Sequence, residues 1–247
     1  MKTTFLLLAS FFAFSYAAHA QVSVIPKGGF TLSTIRASSG SGFDFSQGDV
    51  RYQPGYAAGI GLDVPVAGNG FFSVQSELLY VQKGHGVEAT GDGGSAVRLT
   101  ETFNYLEVPV LGKLNFGGKR VTAYVNAGPS VAYALNGRFT QDITGGLLAF
   151  SSESKYVFGE EPDNSIGDDT YRSPKYYNRV DVGVQFGGGL GLAVGPGTVL
   201  LDARYGLGLT NFFKGMPDND TGSDDRPNLQ NRVFAFTLGY AIPLGGK

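Results

Sequence analysis

The chain has 247 residues, enough by length for one or two domains, but only 16% of them are charged, against roughly 25% in soluble globular domains. With 38 Gly, 13 Tyr and 19 Phe, this composition disfavours an ordinary soluble enzyme and favours strands and turns. A formal net charge of -2 without a basic run argues against nucleic acid as a partner, and the absence of Cys excludes a disulfide scaffold, a thiolate zinc site and a Cys nucleophile.

Residues 1–20 have the pattern of a secretory signal peptide. A basic start precedes an apolar stretch from Phe5 to Phe14, and Ala18-His19-Ala20 forms a small-residue cleavage signal. The apolar stretch is shorter than the ~20 residues that a spanning helix needs, which argues against a membrane anchor. We therefore expect the signal to be cleaved and residues 21–247 to form a single domain.

From residue 22 onward, eight segments alternate large apolar residues with small or polar ones, the period of a β-strand. In the fifth segment, for example, Val131, Leu135 and Phe139 share one face, and Ala132 and Asn136 share the other. In a soluble sandwich, the large residues would face a core and the second face would be charged. Here the second face is mostly Gly, Ala, Ser and Thr, which indicates a narrow barrel with its large residues outside.

The connections between the eight segments alternate between short and long. Residues 67–70, 117–120 and 195–198 have the chemistry of four-residue hairpin turns, whereas the loops are long and polar and cover 37–54, 85–98, 140–177 and 214–230. This alternation predicts an all-β fold, an eight-stranded antiparallel up-and-down transmembrane barrel in the outer membrane of a Gram-negative bacterium. The turns and both termini are expected in the periplasm and the four loops outside the cell.

Four prolines, Pro26, Pro109, Pro129 and Pro243, lie inside the predicted strands. Proline has no N–H to donate to a neighbouring strand, and a closed barrel has no edge strand to accommodate it. We therefore expect β-bulges or strand ends at these positions.

Three stretches resemble the PorT-like outer-membrane β-barrel family of the Bacteroidota: Phe72-Ser-Val-Gln-Ser-Glu-Leu-Leu-Tyr-Val-Gln-Lys-Gly84, Tyr105-Leu-Glu-Val-Pro-Val-Leu-Gly-Lys113 and Ala127-Gly-Pro-Ser-Val-Ala-Tyr133. The likeness covers nearly the whole mature chain. It implies a small eight-stranded barrel in the outer membrane, and it suggests a link to type IX secretion, to which some members of that family are tied.

Nine charged residues fall on the faces assigned to the lumen, and they nearly cancel: Lys27, Asp63, Glu77, Glu107, Lys113, Arg179, Asp181, Asp202 and Arg204. Because eight strands enclose little more than the volume of their own side chains, we expect a network of buried ion pairs that plugs the barrel. The alternative is a narrow polar conduit.

The sequence offers little for catalysis or cofactor binding. His85, the only His after the signal, is predicted to lie at the edge of a surface loop without a Ser in strand register, so we expect no catalytic residues, no enzymatic activity and no cofactor. The glycine run 187–191 follows no parallel strand, so it is interpreted as a lumen stripe rather than a nucleotide loop. The string 218–225 resembles half of a calcium loop but lacks the distal Glu, which leaves only a weak alternative metal site at Asp218, Asp220, Asp224 and Asp225.

These observations predict a non-enzymatic barrel that displays its loops for recognition or adhesion on a rigid scaffold. The expected partners are outer-membrane lipids and, in a second hypothesis, envelope or secretion proteins to which the barrel would be an accessory component. A small pore and a lipid-modifying enzyme remain as further alternatives.

Overall fold

A computed structural model describes residues 22–38, 50–66, 70–90, 96–118, 120–145, 149–157, 178–212 and 228–245. In these ranges the regular elements are nine strands: β1 (Ser23–Ser38), β2 (Val50–Pro65), β3 (Phe72–Thr90), β4 (Ala96–Gly117), β5 (Val121–Thr144), β6 (Phe150–Val157), β7 (Val180–Val194), β8 (Gly197–Gly208) and β9 (Asn228–Pro243). The same ranges contain no helix that is long and apolar enough to cross a bilayer. The predicted signal peptide lies outside the described residues.

Eight of the strands pair around a closed ring. Each is antiparallel to its two neighbours in the order β1-β2-β3-β4-β5-β7-β8-β9, and β9 pairs back onto β1. Closure satisfies the backbone N–H and C=O groups that a bilayer could not. The predicted all-β, eight-stranded up-and-down barrel is confirmed.

The prediction that residues 140–177 form a loop was wrong for the first part of this range. Strand β5 continues to Thr144, the chain reverses near Gly145, and β6 returns along the outer end of β5. Gly145 has a φ of 92°, a left-handed conformation that Gly adopts without a steric penalty. The pattern missed β6 because its alternating residues, such as Glu153 and Lys155, are polar on an exposed face.

Two of the other long connections are also shorter than predicted, and the third, predicted at 214–230, begins and ends earlier in the chain because β8 ends at Gly208 and β9 starts at Asn228. Strand β1 continues to Ser38, β3 to Thr90, and β2, β4 and β9 begin at Val50, Ala96 and Asn228. Polar composition suggested loops, but strands that leave the bilayer no longer need an apolar face. The ends of these strands are therefore polar in sequence and still paired.

The large apolar side chains lie on the outer surface of the ring. Leu238 on β9 is 60% exposed, whereas the adjacent Thr237 is 6% exposed and faces the lumen. Phe30 and Phe236, on neighbouring strands, stack outside the barrel with their ring centroids 5.1 Å apart. The alternating segments predicted this arrangement, with large side chains outside the barrel and small ones inside.

A row of three amides marks one boundary of this apolar surface. The Gln82 side chain donates to Asn104 Oδ1 at 3.2 Å, and Asn104 Nδ2 donates to Asn136 Oδ1 at 2.6 Å. Beyond the row, three ring strands and β6 continue as a four-stranded wall, which we call the extension: residues 84–90, 96–102, 138–144 and 150–157. Strands β3, β4 and β5 have 19, 22 and 24 residues, against the ~9–11 needed to cross a bilayer.

A β-bulge in β5 reverses the faces that were predicted for the end of that strand. Asn104 pairs with Asn136, but Tyr105 pairs with Ala134, so Leu135 is an extra residue. Because one residue of shift exchanges the two faces, Asn136 lies outside and Phe139 packs inside, the reverse of the prediction.

Bulges were also expected at the prolines, and this was wrong for three of them. Pairing is interrupted on one side of Pro26, Pro109 and Pro129, but the register is the same before and after each interruption. A strand can lose one N–H partner without inserting a residue, because its other side stays fully paired. Only Pro243 lies at a strand end.

Leu238→Arg should lower the free energy of unfolding by about 2–4 kcal/mol, the cost of Arg on the lipid face near the bilayer midplane. Ala89→Arg, in the part of β3 that projects beyond the amide row, is the control and should cost at most about 1 kcal/mol. Both are measured by denaturant unfolding in detergent or lipid. Equal losses for the two variants would mean that the apolar surface does not face lipid.

Candidate functional site

The inward-facing charges form three levels along the lumen. In the level nearest the short turns, Lys113 Nζ lies 2.8 Å from Asp63 Oδ2. The same ammonium lies 4.5 Å from the centre of the Tyr124 ring, a cation–π contact. This level pairs one cation with one carboxylate.

The second level, the central cluster, consists of Lys27, Glu77, Asp202 and Arg204. Arg204 donates two hydrogen bonds to Glu77, from Nη1 to Oε2 at 2.7 Å and from Nη2 to Oε1 at 2.9 Å. Lys27 Nζ donates to Glu77 Oε1 at 2.9 Å, and Asp202 Oδ1 lies 2.7 Å from Arg204 Nε. The four side chains are at most 5% exposed, and their charges cancel.

The glycine run 187–191 gives this cluster its space. The Tyr124 hydroxyl and the Asn126 amide donate to Asp202 Oδ2 at 2.9 and 3.2 Å. A Cβ on Gly189 would overlap both the Leu201 carbonyl oxygen and the Tyr124 hydroxyl, so a larger residue there would displace the β8 backbone as well as the tyrosine. The run accordingly lines the lumen, as it was interpreted from the sequence.

The third level, the upper cluster, consists of Lys83, Glu107 and Asp181. Lys83 Nζ lies 3.4 Å from both Glu107 Oε2 and Asp181 Oδ2. The Gln185 amide donates to Glu107 Oε1 at 2.8 Å, and the Asn231 amide donates to Asp181 Oδ2 at 3.0 Å. One ammonium therefore lies between two acidic side chains.

Sequence reasoning missed Lys83 and misplaced Arg179. Lys83 continues the inward parity of Glu77 along β3, but it stands next to a predicted loop and was not assigned to the lumen. Arg179 precedes the first residue of β7, so strand parity does not control its direction. Its guanidinium lies 4.6 Å from the centre of the outward-facing Tyr133 ring, away from the three levels. The other eight predicted lumen residues lie in the levels described above.

The three levels together carry an excess of one negative charge. Four cations (Lys27, Lys83, Lys113 and Arg204) face five carboxylates (Asp63, Glu77, Glu107, Asp181 and Asp202), and the excess belongs to the upper cluster. A cavity of about 40 Å³ is lined by residues of both the central and the upper clusters. A space of this size holds a few water molecules at most.

Aromatic side chains cover the lumen above the upper cluster. Phe103, Tyr105 and Tyr156 are buried and pack with Ala132 and Ala134. The Phe103 and Tyr156 rings stack with their centroids 5.4 Å apart. Tyr156 belongs to β6, so the added strand contributes directly to this cover.

His85 is not in a surface loop, as was predicted, but in β3, with a side chain that is only 12% exposed. Its Nε2 lies 3.6 Å from Glu101 Oε2, and its ring centroid lies 6.1 Å from that of Phe212. The Tyr156 hydroxyl donates to the other Glu101 oxygen at 3.1 Å. Burial lowers the pKa of His85, and the neighbouring Glu101 opposes that shift only in part.

Among the described residues, no group of three or more His, Asp or Glu side chains is arranged to hold a metal ion. The weak alternative site at Asp218, Asp220, Asp224 and Asp225 lies outside those residues, so it stays a prediction.

A closed antiparallel ring with an apolar outer surface and an ion-paired interior defines the class of integral outer-membrane β-barrels. The sequence agrees: residues 16–214 match the model of the outer membrane protein beta-barrel domain family, and the chain belongs to that family. The protein is accordingly an outer-membrane protein.

Solved structures of two bacterial proteins are similar to the chain over 90% of its length and 99% of theirs. Neisserial surface protein A is 10% identical with a TM-score of 0.40. The attachment invasion locus protein Ail of Yersinia pestis is 12% identical with a TM-score of 0.38, and its complex with the heparin analogue sucrose octasulfate is 11% identical with a TM-score of 0.35. A search of curated proteins finds no match.

Arg204→Ala should lower the free energy of unfolding by about 3–5 kcal/mol, because it leaves the Glu77 and Asp202 carboxylates buried with one cation fewer. Arg138→Ala is the matched control, since Arg138 pairs with Glu153 on the exposed extension and should cost at most about 1 kcal/mol. Unfolding is followed by circular dichroism. Equal losses in the two variants would show that the central cluster contributes no more than a surface pair.

His85→Gln should make the protein less sensitive to acid. Because burial lowers the folded-state pKa of His85, its neutral form is favoured in the folded state, and stability is full above about pH 6.5. As the pH falls below that value, the unfolded state takes up the proton first, and wild-type stability should decrease by at most about 1.4 kcal/mol per pH unit. Thermal unfolding at pH 7.5, 6.5 and 5.5 compares the two proteins, and identical pH profiles would contradict the prediction.

Proposed function

We propose that this outer-membrane barrel is a non-enzymatic surface protein, sealed across its lumen, whose extension recognises or adheres to a macromolecule outside the cell. The observation that carries the proposal is the extension itself. Strands β3 to β6 continue past the amide row as a paired sheet, where the bilayer requires no further strand.

The surface of the extension is suited to contact with a polar partner. Arg98 of the extension and Arg51, on the adjoining end of β2, both reach Glu88, at 3.5 and 2.8 Å, and Arg138 pairs with Glu153 at 3.1 Å. All three arginine side chains are more than half exposed. Surface ion pairs of this kind add little stability, so they are available for exchange with the charges of a partner.

The contents of the lumen support a sealed barrel. Side chains from opposite strands meet in the three levels, and the cavity between the central and upper clusters is about 40 Å³. An open pore would need a continuous path for hydrated ions. In this barrel, aromatic rings and ion pairs occupy successive heights of the lumen. A sealed barrel fits display better than transport.

The absence of an enzymatic role is part of the proposal. His85 contacts a carboxylate and aromatic rings at the base of the extension, and burial disfavours its charged form. A general base needs a nucleophile within hydrogen-bond reach, and the contacts of His85 are those of a packed residue.

We further infer that the protein is PorT-like and that it is exported with a cleaved signal peptide. The three resembling stretches fall on the adjacent strands β3, β4 and β5, and their four charged residues all face the lumen: Glu77, Lys83, Glu107 and Lys113. The resemblance therefore concerns the barrel interior and does not specify a partner. An accessory role in secretion or envelope assembly remains the alternative, and it would use the turns or the loops.

A pair of substitutions tests orientation and partner together. A Cys at Lys155 in the extension should react with a membrane-impermeant thiol reagent on intact cells, and a Cys at Gly118 beside a short turn should react only after lysis. A photo-crosslinking residue at the same positions should then capture external macromolecules from Lys155 and none from Gly118. Crosslinks from either position only to envelope proteins would favour the accessory role, and labelling of Gly118 on intact cells would invert the topology.

A further inference from the structure

The upper cluster has one carboxylate more than its cation can neutralise. Lys83 lies 3.4 Å from Glu107 Oε2 and from Asp181 Oδ2, so one ammonium serves two carboxylates. The other donors to these carboxylates, Gln185 and Asn231, are neutral amides. The cluster thus retains a net charge of about one unit inside a barrel wall of low dielectric, where an uncompensated charge is costly.

The central cluster does not supply the missing positive charge. Lys27 and Arg204 are both held by Glu77, and Asp202 lies against Arg204, so the cations there are matched by carboxylates. The excess charge stays at Asp181 and Glu107.

One oxygen of Asp181 is buried without a partner. Its side chain is 4% exposed, and Oδ1 has no hydrogen-bond partner among the described residues, whereas Oδ2 has two. A Cβ placed on Gly208 would lie 3.1 Å from Oδ1, and both residues line the 40 Å³ cavity. The unpartnered oxygen therefore borders a space that has room for a small ion and a water molecule.

We propose that this cavity binds a monovalent cation, Na⁺ or K⁺, at Asp181 Oδ1. A single positive charge neutralises the upper cluster, whereas a divalent ion would overcompensate it. A proton on one of the two carboxylates is the competing way to neutralise the cluster, and the experiment below distinguishes it from a bound cation. The site is separate from the surface that carries the proposed recognition and does not depend on it.

Thermal stability in matched salts tests the site. Wild-type protein in detergent at constant pH and ionic strength is compared in NaCl, in KCl and in N-methyl-D-glucamine chloride, whose cation is too large for the cavity. The melting temperature should be several degrees higher in at least one of the two alkali salts than in the organic salt, because a ligand that binds only the folded state stabilises it. The alkali salt that gives the larger rise identifies the preferred ion.

Asp181→Asn should abolish the difference between the salts, since it removes the excess charge with little change in shape. Glu107→Gln removes the same charge from the other carboxylate and should do likewise, which keeps the test valid if one variant does not fold. Asp63→Asn is the matched control in another level: it should lower the melting temperature in every salt and keep the cation dependence.

Three results would overturn the proposal. The first is a wild-type melting temperature that is equal in all three salts. The second is a cation dependence that persists in both Asp181→Asn and Glu107→Gln. The third is a stability that rises with acidity, is lost in Asp181→Asn and ignores the cation, because a bound proton would then neutralise the cluster.

Discussion

The structure depends on the tie that Glu77 makes across the lumen. The Glu77 carboxylate on β3 accepts hydrogen bonds from Lys27 on β1 and from both terminal nitrogens of Arg204 on β8. It therefore links three strands that lie on different sides of the barrel. Contacts across the lumen of this kind require a narrow barrel. They also fix its width, because separating one of the charged groups would leave the others unpaired in a medium of low dielectric. The glycines of β7 and the small residues of the inner face are consequences of the space that these side chains occupy.

Much of the fold could be predicted from the sequence. Strands that alternate large apolar residues with small or polar ones have a single physical explanation, a barrel whose large residues face lipid. Eight of the nine predicted lumen charges lie inside for the same reason. The errors about strand ends and side-chain direction occur where the bilayer ends: Arg179 precedes its strand, Lys83 stands beside an apparent loop, and β6 has polar residues on an exposed face. Outside the membrane, neither face of a strand has to be apolar, so the alternation no longer marks strand ends.

Rigidity connects the interior of the barrel with its surface. The paired charges and the aromatic cover hold the strands at a fixed separation, and the extension continues those same strands without an intervening loop. Residues of the extension, such as Arg98 and Arg138, are therefore positioned by lumen contacts several residues below them. A binding surface of this kind loses little conformational entropy when a partner docks, in contrast to one built from long loops.

The bulge at Leu135 determines which residues in the outer half of β5 face the lumen. Below it, even-numbered residues such as Ala132 face the lumen, and above it the odd-numbered Phe139 does so. Deleting Leu135 would join Ala134 directly to Asn136 and remove the bulge, so that Arg138 would still face outward and Phe139 would still face the aromatic cover. A one-residue insertion or deletion in the regular stretch of β5 beyond the bulge would instead exchange the two faces of the residues that follow it. Lineages that vary the outer surface of this barrel should therefore change the length of β5 only at the bulge and vary the rest of the strand by replacement.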